Sequence, residues 1–243
     1  MISAAKKNVR SFIAIPVPEF GIHALQDAVN MLEPEIGRYV RWVRPEGIHL
    51  TLKFMGEIPI ATVEKVLKSL PEAVLGSSPF SLAIKGFGVF PNPRRPRVLW
   101  AGLDGDLETL SKLQLVVDDK VGMLGLPKEQ RTFSPHLTLG RVRRDVSQGE
   151  LLKIGELMSS VELPTTLKWT ADVVNLMRTE LDPGGSRHYL VGSATIGGKY
   201  WTALAPEYSR WPPLILSLRL VITLTFKVDM APTQWKAAYT TGS

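Results

Sequence analysis

The sequence predicts an α+β fold made of two similar lobes, each with a mainly antiparallel sheet, that flank a central cleft and carry helices on the outside. The main observation is a tetrad, His-Leu-Thr-Leu, that occurs at residues 49–52 and again at residues 136–139. Each copy is entered through a loop and followed by a helical pattern, as expected for two related α+β units. A hydrophobic content of 44% is enough for a core in a chain of 243 residues.

The first segment of the chain contains a strand, a helix and a second strand pattern. Residues 11–17 are rich in β-forming side chains and stop at two prolines, which predicts a strand. Apolar side chains then recur at helical spacing from Ile22, and the helix is expected to end near residues 34–37. A short strand over residues 39–43 and a turn precede the first tetrad strand, residues 48–54.

Alternation along a strand assigns the side chains of each tetrad to two faces. In the first tetrad strand one face is expected to hold Ile48, Leu50, Leu52 and Phe54, and the other His49, Thr51 and Lys53. In the second copy His136 and Thr138 share the polar face. Each tetrad therefore predicts a strand with one apolar face on a core and one polar face that presents an imidazole beside a hydroxyl.

Between the tetrads the pattern predicts a helix, two strands and a longer helix. Gly86 and Gly88 lie inside the first of these strands and indicate a bulge or a close backbone approach. The predicted elements are a helix over residues 61–70 that ends at Pro71, a strand over 80–90, a proline-stiffened loop over 91–97, a strand over 98–103 and a helix over 107–124.

The region after the second tetrad predicts a helix and a hairpin. About a dozen residues around Leu151 have helical spacing. Two β-rich runs, residues 167–181 and 188–195, are joined by Asp-Pro-Gly-Gly, a good turn signal. His188 lies beside this turn, and we interpret it as a surface or strand-end residue.

We assign residues 1–195 to one domain with two pseudo-symmetric lobes and residues 196–243 to a C-terminal extension of uncertain structure. Residues 214–226 in that extension alternate as a strand does. A lone strand is marginally stable without partners, and the final segment shows no clear periodicity. The sequence does not decide whether the extension adds to a sheet edge or serves an intermolecular contact.

Composition excludes several classes of site. The formal charge of +6 suits an anionic partner such as a phosphate ester or RNA. Without cysteine there is no disulfide, no cysteine nucleophile and no cysteine-ligated metal. We find no secretory signal and no apolar stretch of the roughly 18 to 20 residues that a membrane span needs, so a cytoplasmic protein without membrane contact is expected.

Two histidines on opposite sides of a phosphate could act as an acid and base pair. Imidazole has an unperturbed pKa of about 6.5, so one ring can be protonated and the other neutral near pH 7. Displacement at phosphorus requires roughly in-line oxygens, one losing a proton while the other gains one. Thr51 and Thr138, on the same faces, could hydrogen-bond the non-bridging oxygens. This chemistry requires no metal.

Edge packing, a zinc site and other hydrolase motifs account for the tetrads less well. A single His-x-Thr strand is most often ordinary edge packing, but identical polar faces on two separate strands have no packing reason to match. A zinc site lacks an evident third ligand at short spacing. Serine hydrolase and P-loop motifs do not occur in the sequence.

With both tetrads quoted, the chain resembles the 2H phosphoesterase superfamily, which is named for two His-x-Thr-x motifs. It is most similar to the RNA 2′,3′-cyclic phosphodiesterases, also described as 2′-5′ RNA ligase-like proteins. The resemblance covers about residues 9–195. Besides the tetrads, it is carried by residues 41–45, 53–57, 90–100 and 131–135.

The resemblance implies hydrolysis of a terminal RNA 2′,3′-cyclic phosphate to a 2′-phosphomonoester. It implies that His49 is the proton donor, that His136 is the proton acceptor, and that Thr51 and Thr138 bind phosphate oxygens. Arg131 is a candidate further phosphate ligand. Weaker candidates for RNA backbone contact are Arg94, Arg95 and Arg97, since such a basic loop is by itself most simply a solvated turn.

The expected partners are RNA with a 2′,3′-cyclic phosphate end or a cyclic nucleotide, with no cofactor, no metal and no membrane. We expect a monomer that takes part in RNA processing. Two alternatives stay open. The same site could catalyse 2′-5′ ligation or 2′-5′ phosphodiester cleavage, or the chain could be a non-catalytic module that binds RNA ends.

Overall fold

The strands and helices were located in a computed structural model, which describes residues 8–163, 166–183, 185–198, 200–204, 223–227 and 238–239. The strands are β1 (Asn8–Pro16), β2 (Val40–Trp42), β3 (His49–Pro59), β4 (Phe80–Phe90), β5 (Val98–Gly105), β6 (His136–Val142), β7 (Leu167–Ala171), β8 (Val173–Asp182), β9 (Gly185–Thr195), β10 (Tyr200–Leu204), β11 (Thr223–Lys227) and β12 (Ala238–Tyr239). The helices are α1 (Glu19–Ile36), α2 (Ile60–Leu75), α3 (Leu107–Met123) and α4 (Gln148–Ser160), with short 3-10 turns at Gly37–Tyr39 and Pro45–Gly47.

The described strands form one curled antiparallel sheet rather than two separate sheets. Its order is β12-β11-β10-β9-β8-β1-β3-β6-β5-β4-β7, and β2 pairs with β6. One lobe contains β9, β8, β1 and β3, and the other contains β6, β5, β4 and β7. The lobes meet where β3 pairs with β6, through the residue pair Leu50 and Leu137. The expected α+β class with two antiparallel lobes is confirmed.

Two apolar clusters stabilise this arrangement. The larger one joins the buried faces of the strands to side chains of α1, α2 and α3. The smaller one lies between α4, the end of α1 and strands of the second lobe. Local signals agree with this packing, because Asp106 caps α3 by accepting a hydrogen bond from the Thr109 amide at 3.0 Å, and Ser147 and Glu150 form a capping box at α4.

The predicted end of α2 at Pro71 is wrong, because the helix continues to Leu75. A proline inside a helix removes a hydrogen bond and crowds the preceding turn. Here Pro71 is itself buried, and Ala73 and Val74 beyond it are buried in the main core. Tertiary packing therefore outweighs the local penalty at this position.

The predicted faces of the first tetrad strand are wrong beyond Leu52. Lys53 is only 5% exposed, whereas Phe54 is 63% exposed. The register of β1 and β3 shifts at this point, since Ile13 pairs with Lys53 but the next residue, Ala14, pairs with Thr51. This irregularity leaves Leu52 as an extra residue and reverses the alternation that follows it.

Both glycine signals in β4 are confirmed. The pairing of β4 with β5 shifts between Ile84 and Phe87, and Gly86 has a φ of +73°. Gly88 lies under the Trp100 ring, where an added Cβ would stand 2.4 Å from the nearest ring carbon. One glycine therefore forms a bulge, and the other allows a tryptophan to pack on the backbone.

The expected strand over residues 214–226 lies mostly outside the described residues, and only its end coincides with β11. β10 pairs with β9, and β11 pairs with β10, so these segments continue the sheet past the first lobe. The domain boundary at residue 195 remains a prediction. Among the described residues, no helix combines the length and the apolar character that crossing a membrane requires.

Candidate active site

The pairing of β3 with β6 brings the two tetrads side by side. Leu50 and Leu137 are Cα partners, and both are fully buried. Carrying this antiparallel register one residue in each direction places His49 opposite Thr138 and Thr51 opposite His136. Cross-strand neighbours point to the same face of a sheet. The polar faces of both tetrads therefore lie on one side of the sheet, where the lobes meet.

His49 is held in a half-buried position against the first lobe. Its ring stacks on Phe12 with centroids 4.4 Å apart and an interplanar angle of 20°. Burial is the main cause that lowers the pKa of His49 to about 4, followed by the positive charge of His188. A hydrogen bond with the Gly47 backbone opposes this shift, and the charge of His136 adds a further lowering of the His49 pKa.

His136 is oriented in a parallel way by the second lobe. Its Nδ1 lies 2.8 Å from the carbonyl oxygen of Ser134, so Nδ1–H donates and the neutral ring presents Nε2 as an acceptor. The Phe90 ring meets it edge-on, with centroids 5.0 Å apart, and packs in turn on Trp100. Each tetrad histidine is thus fixed by the backbone two residues before it and by a phenylalanine from another strand.

The hydroxyls of Thr51 and Thr138 are available for a ligand. Both side chains are half-buried. Among the described residues neither hydroxyl has a hydrogen-bond partner, although each could donate one bond and accept others. The structure therefore brings together the two histidines and the two threonines that the sequence singled out.

Arg131 lies apart from the tetrads, on the exposed loop between α3 and β6. Its amide donates to Glu129 Oε1 at 3.1 Å, and its guanidinium forms no ion pair within the described part of the chain. The loop is anchored by Lys53 Nζ, which donates to the Pro127 carbonyl at 2.6 Å. Arg94 and Arg95 are likewise exposed, and their amides donate to Asn92 Oδ1.

His188 is a residue of this site that the sequence did not identify. We interpreted it as a surface or strand-end residue, but it is half-buried beside His49, with ring centroids 5.2 Å apart and an interplanar angle of 89°. It reaches this place because β9 pairs with β8 and β8 pairs with β1. Local sequence around His188 carries no signal of these long-range pairings.

Comparison with known proteins places the chain in a family. The sequence matches the family described as LigT like Phosphoesterase over residues 15–100 and 103–187, which is more than half of the chain. It belongs to this LigT-like family. The resemblance to 2H phosphoesterases and the expectation of a phosphodiesterase enzyme are thereby confirmed at the level of the family.

Relatives of this LigT-like chain carry consistent names. An RNA 2′,3′-cyclic phosphodiesterase from Methanothermobacter thermautotrophicus is 35% identical over 182 residues, which cover 73% of this chain and 94% of that protein. One from Thermotoga maritima is 30% identical over 177 residues, which cover 73% of this chain and 90% of that protein.

Solved structures show the same LigT-like fold. TT0787 of Thermus thermophilus has a TM-score of 0.61 at 26% identity, covering 78% of this chain and 99% of that one. Escherichia coli LigT complexed with 3′-AMP also has a TM-score of 0.61, at 20% identity, and covers 78% of this chain and 98% of its own.

In this LigT-like protein a cavity of about 230 Å³ opens beside His49. Its lining is mainly apolar, from residues such as Ala14 and Met177, with Glu46, Asn175 and His188 as polar members besides His49. A concave apolar pocket with a few polar groups is typical of sites for small ligands. Within the described ranges, no group of three or more histidine, aspartate and glutamate side chains is arranged to hold a metal ion.

Proposed function

We propose that this LigT-like phosphoesterase hydrolyses the 2′,3′-cyclic phosphate at an RNA end, or of a cyclic nucleotide, to a 2′-phosphomonoester. The observation that carries the proposal is the pairing of Leu50 with Leu137, which sets two histidines and two threonines on one side of the sheet. The names of the relatives support the same substrate class. The basic composition suits RNA.

In this proposal the histidines divide the two proton transfers of an in-line displacement. His136 accepts a proton from water at Nε2, because its Nδ1–H is bonded to the Ser134 carbonyl. The water oxygen bonds to phosphorus, the bond from phosphorus to the 3′ oxygen breaks, and His49 gives that oxygen a proton. The product retains the phosphate on the 2′ oxygen.

The lowered pKa of His49 has a consequence for this role. In the free protein His49 is neutral at pH 7, because its pKa is about 4. A proton donor must carry its proton when the leaving oxygen departs. The negative charge of a bound phosphodiester stabilises the imidazolium and raises its pKa, so substrate binding and protonation of His49 are coupled.

Thr51 and Thr138 supply hydrogen bonds to the non-bridging oxygens in this scheme. Their hydroxyls lie on the side of the sheet where the cyclic phosphate would sit, and hydrogen bonds aimed at developing charge lower the barrier. Arg131 is a further phosphate ligand in the proposal, reached by movement of an exposed loop. None of these steps assigns a role to a metal.

The test is hydrolysis of an oligonucleotide with a 2′,3′-cyclic end in EDTA, with chromatography to separate 2′-phosphate from 3′-phosphate products. We expect the 2′-phosphate product from the wild type and its loss in His49→Ala and His136→Ala. His23→Ala is the matched control, because the side chain of His23 is 72% exposed on α1 and pairs with Glu19 of the same helix.

Other results of the same experiment would contradict the proposal. Absence of turnover, or turnover that chelator abolishes, would argue against metal-independent hydrolysis. Tight binding of the cyclic end without turnover would favour an RNA-end binding module. A joined product formed with a 5′-hydroxyl partner would show 2′-5′ ligation at the same site.

A further inference from the structure

We propose that His188 is a positioning residue for His49, which it holds against the Phe12 ring in the orientation that proton transfer to the substrate requires. The inference rests on the proposed function, in which His49 is the proton donor. It concerns a histidine outside both tetrads and on a different strand.

Three rings form a closed cluster around His49. The rings of Phe12 and His49 are nearly parallel, whereas His188 stands at 85° to the first and 89° to the second. Its centroid lies 5.0 Å from that of Phe12 and 5.2 Å from that of His49. Phe12 is only 1% exposed and is fixed in the sheet. The His49 ring therefore has one aromatic neighbour against its face and another perpendicular to it.

His188 is itself fixed by the neighbouring strand. Its Nδ1 lies 3.0 Å from Oγ1 of Thr179, its Cα partner on β8. Its other edge approaches the turn before β3, because a Cβ added to Gly47 would lie 3.6 Å from Cδ2 of His188. Gly47 also hydrogen-bonds His49 through its backbone. One turn therefore contacts both histidines.

Ion pairs hold the hairpin of β8 and β9 to the same turn. Asp182 at the end of β8 interacts with Arg44, which precedes the turn, at 3.5 Å and with Arg187 of β9 at 2.5 Å. Arg187 is the residue before His188. These contacts, together with the strand pairing, bring His188 to His49 as part of an ordered wall.

The charges that surround His188 determine how it acts at different pH values. It contacts His49, and Glu46 lines the same cavity. On the β1 side, the cross-strand neighbour of Thr179 is Arg10, which pairs with Glu57. Burial lowers the pKa of His188, so the ring is neutral at pH 7 and acts by contact. In acid its charge opposes protonation of His49.

Three substitutions separate the ring contact from the imidazole chemistry. His188→Ala removes the ring, His188→Phe keeps a ring of similar shape without a charge, and Thr179→Val removes the hydroxyl that fixes His188. Each is compared with the wild type and with His23→Ala. The measurements are kcat and KM on the cyclic-ended oligonucleotide, and the NMR titration of the His49 imidazole in the free protein.

We expect His188→Ala to lower kcat about 10- to 100-fold with a smaller change in KM, since misplacement of a catalytic group by about 1 Å has effects of this size. His188→Phe should restore most of kcat at pH 7, and Thr179→Val should show a weaker loss. In both His188 variants the pKa of His49 should rise, because a nearby positive charge is removed.

Two results would overturn the role of His188. One is a kcat in His188→Ala equal to that of the wild type, and the other is an unchanged titration of His49 in both His188 variants. The titration needs no turnover. A wild type that does not hydrolyse the substrate would therefore contradict the proposed function, whereas an unaltered His49 titration would contradict the contact itself.

Discussion

At the scale of single residues, the site combines half-buried histidines with hydroxyls that have no partner among the described residues. The backbone of Gly47 and the carbonyl of Ser134 each bond the histidine two positions later. Such local bonds fix a ring without help from distant parts of the chain. Burial of the rings is what shifts their titration, and that shift connects the site to the stability of the protein.

Protonation of His49 should make stability depend on pH. Its pKa is about 4 in the folded protein and 6.5 in the ordinary reference state. The unfolded chain therefore binds more protons between these values, and stability falls as pH decreases from about 6.5 towards 4. We expect the loss between pH 7.5 and 4.5, measured by urea unfolding, to be about 2 kcal/mol smaller in His49→Gln than in the wild type.

His23→Gln controls for this comparison, because His23 is exposed and remote from the cluster of rings. Its pH dependence should match that of the wild type. If the wild type and His49→Gln lose the same stability over this range, the burial of His49 as a neutral ring is contradicted.

The hydroxyls of Thr51 and Thr138 should matter for activity rather than stability. Valine keeps the branched shape but cannot hydrogen-bond the phosphate oxygens. Thr51→Val and Thr138→Val are each expected to lower kcat/KM by about 10- to 100-fold, and the double variant by more. Thr170→Val, on the exposed face of the edge strand β7, should leave it unchanged. Equal activity of all four variants would remove the threonines from the site.

At the scale of elements, a buried ion pair connects β3 to α3 and to the loop that precedes β6. Lys53 Nζ lies 2.5 Å from Asp118 Oδ1, and both side chains are less than a tenth exposed. Lys53 also donates to the Pro127 carbonyl, and Asp118 accepts from the Glu129 amide at 3.2 Å. The strand that carries His49 thus supports the loop that leads to His136.

Removal of one partner of this pair should be strongly destabilising. Lys53→Met leaves Asp118 buried without its cation, and the expected loss is about 3–5 kcal/mol in urea unfolding. The double variant Lys53→Met/Asp118→Leu should recover much of it, because no buried charge remains.

An exposed ion pair is the control for this experiment. Lys85 and Asp104 lie 2.7 Å apart, with side chains 71% and 47% exposed. Lys85→Met should therefore cost less than about 1 kcal/mol. A similar loss in Lys85→Met and Lys53→Met would show that burial of the second pair is not what stabilises the protein.

These elements also show what sequence patterns can and cannot predict. Period-two alternation located both tetrad strands, and the matching polar faces pointed to the four central side chains. Alternation failed at Lys53, because a register shift against β1 depends on the partner strand. The role of Pro71 was missed because burial of the residues around it is tertiary. His188 was missed because its position depends on two strand pairings in series.

At the scale of the whole molecule, the sheet is continuous from one lobe to the other and onwards into β10 to β12. The four-strand lobes meet at the tetrads, so the site is formed by both halves of the chain. β9, which carries His188, would be the edge of the first lobe if β10 did not pair with it. The segment after residue 195 therefore bears on the site through a strand pairing.

Two shortened chains test where the phosphoesterase domain ends. Ile196 is 1% exposed in the main core, and the Gly197 amide donates to the Val74 carbonyl at 2.9 Å. A chain that ends after Gly198 keeps both contacts and should retain hydrolysis, with an exposed edge on β9. A chain that ends after Thr195 loses them and should be less stable by about 2 kcal/mol or more in urea unfolding. Equal stability of the two chains would favour a domain that ends at residue 195, whereas loss of activity in both would make the extension part of the working site.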